Sequence, residues 1–182
     1  MNETLSIIER RRSIRSYKPE QITEPELLQI LRAGIVGPTA MNRQKRFFIV
    51  IQNKALLDKM VDFNKQGMVA AGADLSNKPD YHTFYHAPTV IMVCGEDGYD
   101  KRQLDCSYAT ENMALAAESL DIGSCIITSS YFMFTTDQAE ALTKELGIPQ
   151  GYSHICTIAL GYKASGNPPM PEKDFNIIHY IR

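Results

Sequence analysis

The 182-residue sequence contains no tryptophan, and its four cysteines (Cys94, Cys106, Cys125 and Cys156) include no CxxC pair. Most of them sit in apolar runs, so the expectation is reduced, buried thiols in a cytosolic protein. There is no Gly-x-Gly-x-x-Gly, so the chain does not advertise a Rossmann dinucleotide site. No window approaches the ~18 apolar residues of a membrane span. The opening MNETLSIIERRR places its charges after its apolar residues, the reverse of a secretory signal. Cytoplasmic residence without membrane contact is therefore expected. Charge of either sign is not in excess: the net value is −2, which offers no general field to draw in nucleic acid or an anionic membrane. Internal repeats and low-complexity segments are missing too. What remains is an ordinary globular composition, 44% hydrophobic, at a length that suits one domain with one substantial core.

The elements follow from periodicity and caps. Asn2 caps a short helix carrying Leu5, Ile7 and Ile8, which fades at the arginines. Thr23 and Glu26 have capping-box spacing ahead of a helix whose stripe is Leu27, Leu28, Leu31 and Ile35, stopped by Gly37-Pro38. Arg46–Gln52 is a nearly continuous apolar run and reads as a buried strand. A short amphipathic helix, KALLDKMVDF, comes next. From Lys65 to Pro88 the pattern breaks down, and the segment reads as a partly helical, mobile cover. Thr89–Gly95 is a second buried strand. KRQLDCSYATENMALAAESLDIG is the longest helix, and its alanine-rich centre predicts burial on most sides. SCIIT and HICTIALG are further strands. Between them Thr135 and Gln138 match a second capping box, and Gly147 ends the helix it opens. In the tail, Pro168, Pro169 and Pro171 demand an extended chain, and the apolar run Phe175 to Ile181 follows. Such a terminal arm packs on a second chain or wraps its own domain.

Two stretches carry chemistry. Four of the six residues from Arg10 to Arg15 are arginine, with Ser13 among them. In an extended chain, Arg11, Ser13 and Arg15 share a face and Arg12 lies opposite. Two guanidinium groups and a hydroxyl form a receptor for a phosphate or a planar carbonyl edge; a solvated basic patch is the plainer alternative. The second stretch, GPTAMNRQKRFF, is a helix-to-strand loop in which Asn42 and Gln44 can address the donor and acceptor edge of a heterocycle, or simply solvate a turn. His82 and His86 are four apart, as in zinc-binding helices, but without the glutamate of HExxH; a pocket or surface pair is the expectation.

Together the two stretches resemble the FMN-dependent nitroreductase family, whose members show R-R-S-x-R near the start and P-S-S-x-N-x-Q-P-W-x-F some 25 residues on. The counterparts here are Arg11-Arg12-Ser13-Ile14-Arg15 and Pro38-Thr39-Ala40-Met41-Asn42-Arg43-Gln44-Lys45-Arg46-Phe47-Phe48. The strand order, the "LDIGSC" end of the long helix, the "LGY" after the last strand and the proline-rich tail extend the resemblance over essentially the whole chain. It departs where Lys45-Arg46 replaces the family's Pro-Trp and where Ala40 removes a hydroxyl.

The resemblance implies an α+β, three-layer fold over residues 1–182: a central mixed sheet of four strands flanked by helices, with a fifth strand from the partner's C-terminal arm (163–182). It implies a homodimer with two FMN sites at the interface. Arg11, Arg12 and Ser13 would lie on the phosphate and ribityl side, and Arg15 at the pyrimidine edge. Pro38, Thr39, Ala40 and Asn42 would reach the flavin from the other subunit, and Gln44 would also contact the cofactor. The turn Thr128-Ser129 would offer the Ser129 backbone N–H toward flavin N5. A tail lysine, Lys173 ahead of Lys163, would meet the phosphate. The activity implied is ping-pong hydride transfer from NADH or NADPH, through the flavin, to a nitroaromatic, quinone or similar electron-poor small molecule. No side chain is assigned as a general acid or base. The rival readings are another chemistry on the same flavin fold (enone reduction, dehalogenation, flavin fragmentation) and a non-catalytic anion- or nucleic-acid-binding module, which the net acidity disfavours.

Overall fold

The structure, a computed structural model, describes residues 2–182. Four strands form one sheet in the order β1 (Arg46–Ile51), β2 (Thr89–Glu96), β4 (Tyr152–Tyr162), β3 (Ile122–Ile127). The expected α+β class holds, but all three strand pairings are antiparallel rather than mixed. Parallel pairing among the described residues is confined to the isolated Ser13–Ser124 bridge at the β3 edge.

The central strand β2 shows why apolar runs form this sheet. Val90, Met92 and Cys94 enter one core and Ile91 and Val93 the other, so the two-residue repeat fills both faces. On one face lie α3 (Lys54–Ala70), a 3-10 turn at Ser129–Phe134 and α5 (Ala139–Glu145). On the other lie α2 (Glu24–Ile35) and α4 (Arg102–Ser119). α3 meets the 3-10 turn at Gly67, where an added Cβ would stand 2.0 Å from the Phe132 carbonyl oxygen. Only glycine permits that approach.

Several expectations are corrected. β1 is an edge strand, with Phe47 and Val50 exposed rather than buried. α2 buries Leu27, Ile30 and Gly34, not the whole stripe; Leu28 and Ile35 are exposed. Its capping box is formed, with the Thr23 N–H donating to Glu26 Oε2 at 2.8 Å. The second capping box does not form: Thr135 donates to the Phe132 carbonyl instead, and α5 begins without a side-chain cap. The amphipathic helix runs on to Ala70, well into the segment read as patternless. Beyond it residues 71–80 are mostly exposed, whereas Thr83, Phe84 and Ala87 are buried.

At the N-terminus α1 (Glu3–Arg10) is capped by Asn2, whose side chain accepts from the Leu5 N–H at 3.0 Å. The tail from residue 164 forms no helix or strand, and Phe175, Ile177, Tyr180 and Ile181 are exposed. Among the described residues no helix is long and apolar enough to cross a membrane.

Candidate active site

The arginine run is held in place by what flanks it. α1 ends at Arg10, and the chain turns extended at Arg11. Ser13 then bridges Ser124 on β3, and the Ile14 N–H donates to the Ser124 carbonyl at 2.9 Å. Ile14 is buried, and Gly123 leaves room for it: a Cβ there would meet the Ile14 side chain at 2.9 Å. With Ile14 turned inward, the side chains around it turn outward.

They line a cavity of about 810 Å³ whose wall includes Arg11, Arg12, Ser13, Arg15 and Lys173. Pro168, Pro169 and Pro171 of the tail also line it. Arg12 was expected on the opposite face. It lines the same cavity because its guanidinium folds back, Nη1 donating to the carbonyls of Glu9 at 2.6 Å and Arg11 at 2.7 Å. Its Nε is buried with no partner. Arg11 is the one cavity cation with a carboxylate partner among the described residues, Glu111, at a loose 3.4 Å.

Of the two tail lysines, only Lys173 reaches this cavity. Lys163 Nζ is bound to Glu118 Oε2 at 3.0 Å and to Asp121 Oδ1 at 2.9 Å. Burial pushes the Glu118 carboxyl up, but hydrogen bonds from Arg10, Lys163 and Asn167 outweigh it and hold the group below its ordinary range. Arg10 and Lys163 therefore serve that buried carboxylate rather than the cavity.

The Pro38–Gln44 loop lies elsewhere on the chain. The Ala40 N–H donates to Asp105 Oδ1 at 3.1 Å, and Tyr99 Oη approaches the Ala40 carbonyl. Met41, Asn42 and Gln44 all have positive φ, between 52° and 54°. This conformation is costly for residues with a Cβ and is held when the surroundings over-determine it. Gln44 Nε2 donates to Asn42 Oδ1 at 3.2 Å, and the Gln44 N–H donates to Thr39 Oγ1. Arg46, which stands where the family motif has tryptophan, clamps the loop through the carbonyls of Ile35, Gly37 and Asp105. Loop and arginines thus touch the same helix α4 at Asp105 and Glu111. Six residues is about 9 Å along the axis and a different face. No residue of Pro38–Gln44 lines the arginine cavity of the same chain.

Thr128 and Ser129 lie at the end of β3. Thr128 opens onto a neighbouring pocket with Arg102, Tyr131 and His154, not onto the arginine cavity. As first residue of its 3-10 turn, Ser129 has an N–H without a partner inside that turn. The turn is braced from below, where the Ser130 hydroxyl lies 3.0 Å from His154 Nε2 and 2.9 Å from Thr157 Oγ1. Burial pushes His154 down to about 4, so its ring is neutral at pH 7.

His82 and His86 sit side by side in the turn before β2. Their rings lie 3.9 Å apart, centroid to centroid, and His82 Nδ1 accepts the backbone N–H groups of Phe84 and His86. No group of three or more His, Cys, Asp or Glu among the described residues could hold a metal ion. The four cysteines are free and buried, and burial pushes Cys94 and Cys106 up to about 12, so they are inert thiols at neutral pH.

Three features had no sequence signal: Asp105 as the anchor of the loop, the buried Glu118 network, and Tyr85, whose ring lies under the Arg15 guanidinium at 5.6 Å. Each depends on contacts between segments far apart in the chain.

The cavity suits an anionic ligand such as a phosphate ester: four cations and a hydroxyl, with the carboxylates of Glu9 and Glu111 at its wall, line a space of the size that small cofactors occupy. An oxidoreductase class follows once the relatives are considered. The Nitroreductase family profile matches residues 8–162. An Archaeoglobus fulgidus protein named NADH dehydrogenase/NAD(P)H nitroreductase is 33% identical over 180 residues, covering 96% of this chain and 90% of that one. A Bacteroides fragilis nitroreductase with bound FMN superposes with a TM-score of 0.91 at 30% identity over 100% of both chains. A second, from Desulfitobacterium hafniense and also with bound FMN, gives 0.90 at 32% identity, again over 100% of both. The chain belongs to the nitroreductase family, and it is an oxidoreductase.

Proposed function

We propose that the protein is a homodimeric FMN enzyme that oxidises NADH or NADPH and reduces nitroaromatics, quinones or similar electron-poor acceptors. The observation that carries this is the cavity lined by Arg11, Arg12, Ser13, Arg15 and Lys173. FMN bound there supplies hydride acceptance from the nicotinamide and donation to the acceptor, in alternating half-reactions. Arg11, Arg12, Ser13 and Lys173 would hold its phosphate and ribityl chain by charge-assisted hydrogen bonds. Arg15 would place a fixed positive charge beside the ring. The Ser129 N–H is the candidate main-chain donor toward the ring.

The Pro38–Gln44 loop and the arginine cavity lie on different faces of α4, so a ligand that touches both draws on two copies of the chain. The strained loop, with Pro38, Thr39, Ala40, Asn42 and Gln44, is therefore assigned to the partner's flavin. The exposed groove along β1, lined by Leu31, Ile35, Phe47, Phe48 and Val50, is the proposed seat of the partner's arm. The exposed stretch 71–80 is assigned as a cover over the acceptor. Protein purified with its native cofactor should be yellow, and heat should release FMN. Recovery of FAD alone, or no flavin after reconstitution with FMN, would sink the reading.

A further inference from the structure

Two consecutive non-glycine residues, Tyr85 (φ 53°) and His86 (φ 58°), take the left-handed conformation, which side chains with a Cβ adopt only at a cost. The turn is over-determined. The Tyr85 N–H donates to the His82 carbonyl and the Ala87 N–H to the Phe84 carbonyl, each at 3.0 Å. His82 Nδ1 accepts from the N–H groups of Phe84 and His86, each at 3.2 Å. Phe84 is wholly buried, and the Thr83 hydroxyl accepts from buried Asn64 at 3.1 Å. Tyr85 is thus fastened on both sides and cannot relax without extracting Phe84 from the core.

The strained conformation presents the Tyr85 ring to the guanidinium of Arg15, 5.6 Å from the centroid. Arg15 lines the basic cavity, yet it is exposed and has no carboxylate partner among the described residues. A long exposed side chain loses rotamer freedom when it is held in one place. An aromatic face within about 6 Å offsets that loss without neutralising the charge.

We propose that Tyr85 is a positioning residue, which holds the Arg15 guanidinium in the cavity so that its charge is fixed beside the flavin ring. The proposal rests on the FMN reading above. A cation fixed before electrons arrive stabilises the reduced ring without reorganising, whereas a mobile, solvated one does so less well.

The test compares full-length, FMN-saturated wild-type protein with Tyr85→Phe, Tyr85→Asn, Tyr85→Gly, Arg15→Ala and the Tyr85→Gly/Arg15→Ala double variant. Flavin reduction potentials are measured by anaerobic dye equilibration, and reduction by NADH and NADPH by stopped flow. Phenylalanine keeps the ring face and loses only the hydroxyl, which also favours the charged Arg15, so its potential and rate should lie closer to the wild type than those of the variants without a ring. Asparagine and glycine tolerate the left-handed backbone, so at least one of them folds without the ring. Each should show a lower potential and roughly three- to tenfold slower flavin reduction. In the Arg15→Ala background, Tyr85→Gly should add nothing further. A wild-type potential and rate in the asparagine or glycine variant would overturn the role of Tyr85 and leave the FMN reading intact. An equally large drop in the Arg15→Ala background would do the same. Wild-type protein that takes up no FMN would overturn both.

Discussion

Arg10 Nε lies 2.7 Å from Glu118 Oε1, and the carboxylate is only 2% exposed while the arginine is 54% exposed. The pair ties the end of α1 to the last turn of α4 and, through Asn167 and Lys163, to the start of the tail. The geometry predicts an asymmetry. Glu118→Ala leaves Lys163 nearly buried and without that partner, and should cost about 3 kcal/mol. Arg10→Ala leaves Glu118 its bonds to Lys163 and Asn167, and should cost about 1 kcal/mol. Urea unfolding of both variants measures the difference, and equal losses would show that the buried carboxylate is not the centre of the network.

Acid should weaken the fold in a defined window. His82 and His154 are each held down to about 4, His154 by burial and His82 by burial first and then by the charge of its neighbour His86. The ordinary histidine value is about 6.5. Between these values the unfolded chain binds more protons than the folded one, so stability falls as pH drops from about 6.5 to about 4. Both rings are partly exposed, so solvent screening keeps the loss below the full linkage value of about 3 kcal/mol for His154 and lower still for His82, whose pocket is wetter. The unfolding free energy of His154→Asn should be flatter across this window than that of the wild type. Parallel curves for the two proteins would assign the acid sensitivity elsewhere.

The two tail lysines should separate cofactor binding from folding. Lys173→Ala should weaken FMN binding by about ten- to a hundredfold, the worth of one charge-assisted hydrogen bond, with little change in unfolding. Lys163→Ala should lower stability and leave intrinsic FMN affinity nearly unchanged. Fluorescence titration of the apoprotein with FMN, next to thermal melts, reads both; exchanged phenotypes would move the phosphate to the other lysine.

Truncation after Gly166 should cost dimerisation and flavin together. The exposed side chains of Phe175, Ile177, Tyr180 and Ile181 would each contribute ~1.5–3 kcal/mol if buried on a partner. The prolines before them limit the entropy lost on docking. Sedimentation and flavin absorbance on one sample measure both properties. A truncated protein that remains a flavinated dimer would remove the arm's role, and a monomer that retains FMN would remove the shared site.

The sequence by itself determined the elements whose causes are local. The caps at Asn2 and Thr23, the doubly apolar run of β2 and the long helix α4 all appear where the pattern puts them, because a cap or a repeat acts within a few residues. The arginine run and the loop were legible as local patterns for the same reason. Tertiary structure alone decided that β1 is an edge, since an apolar run reads the same whether one face or both are covered. It also sent Arg12 into the cavity against strand alternation, bound Lys163 to Glu118 while leaving Lys173 at the cavity, and placed Tyr85 beneath Arg15. These outcomes turn on which distant segments meet in space. Arg15 and Tyr85 are 70 positions apart, and no periodicity in the chain couples residues at that range; only the packing of the turn at Phe84 beside the extended segment after α1 brings them together.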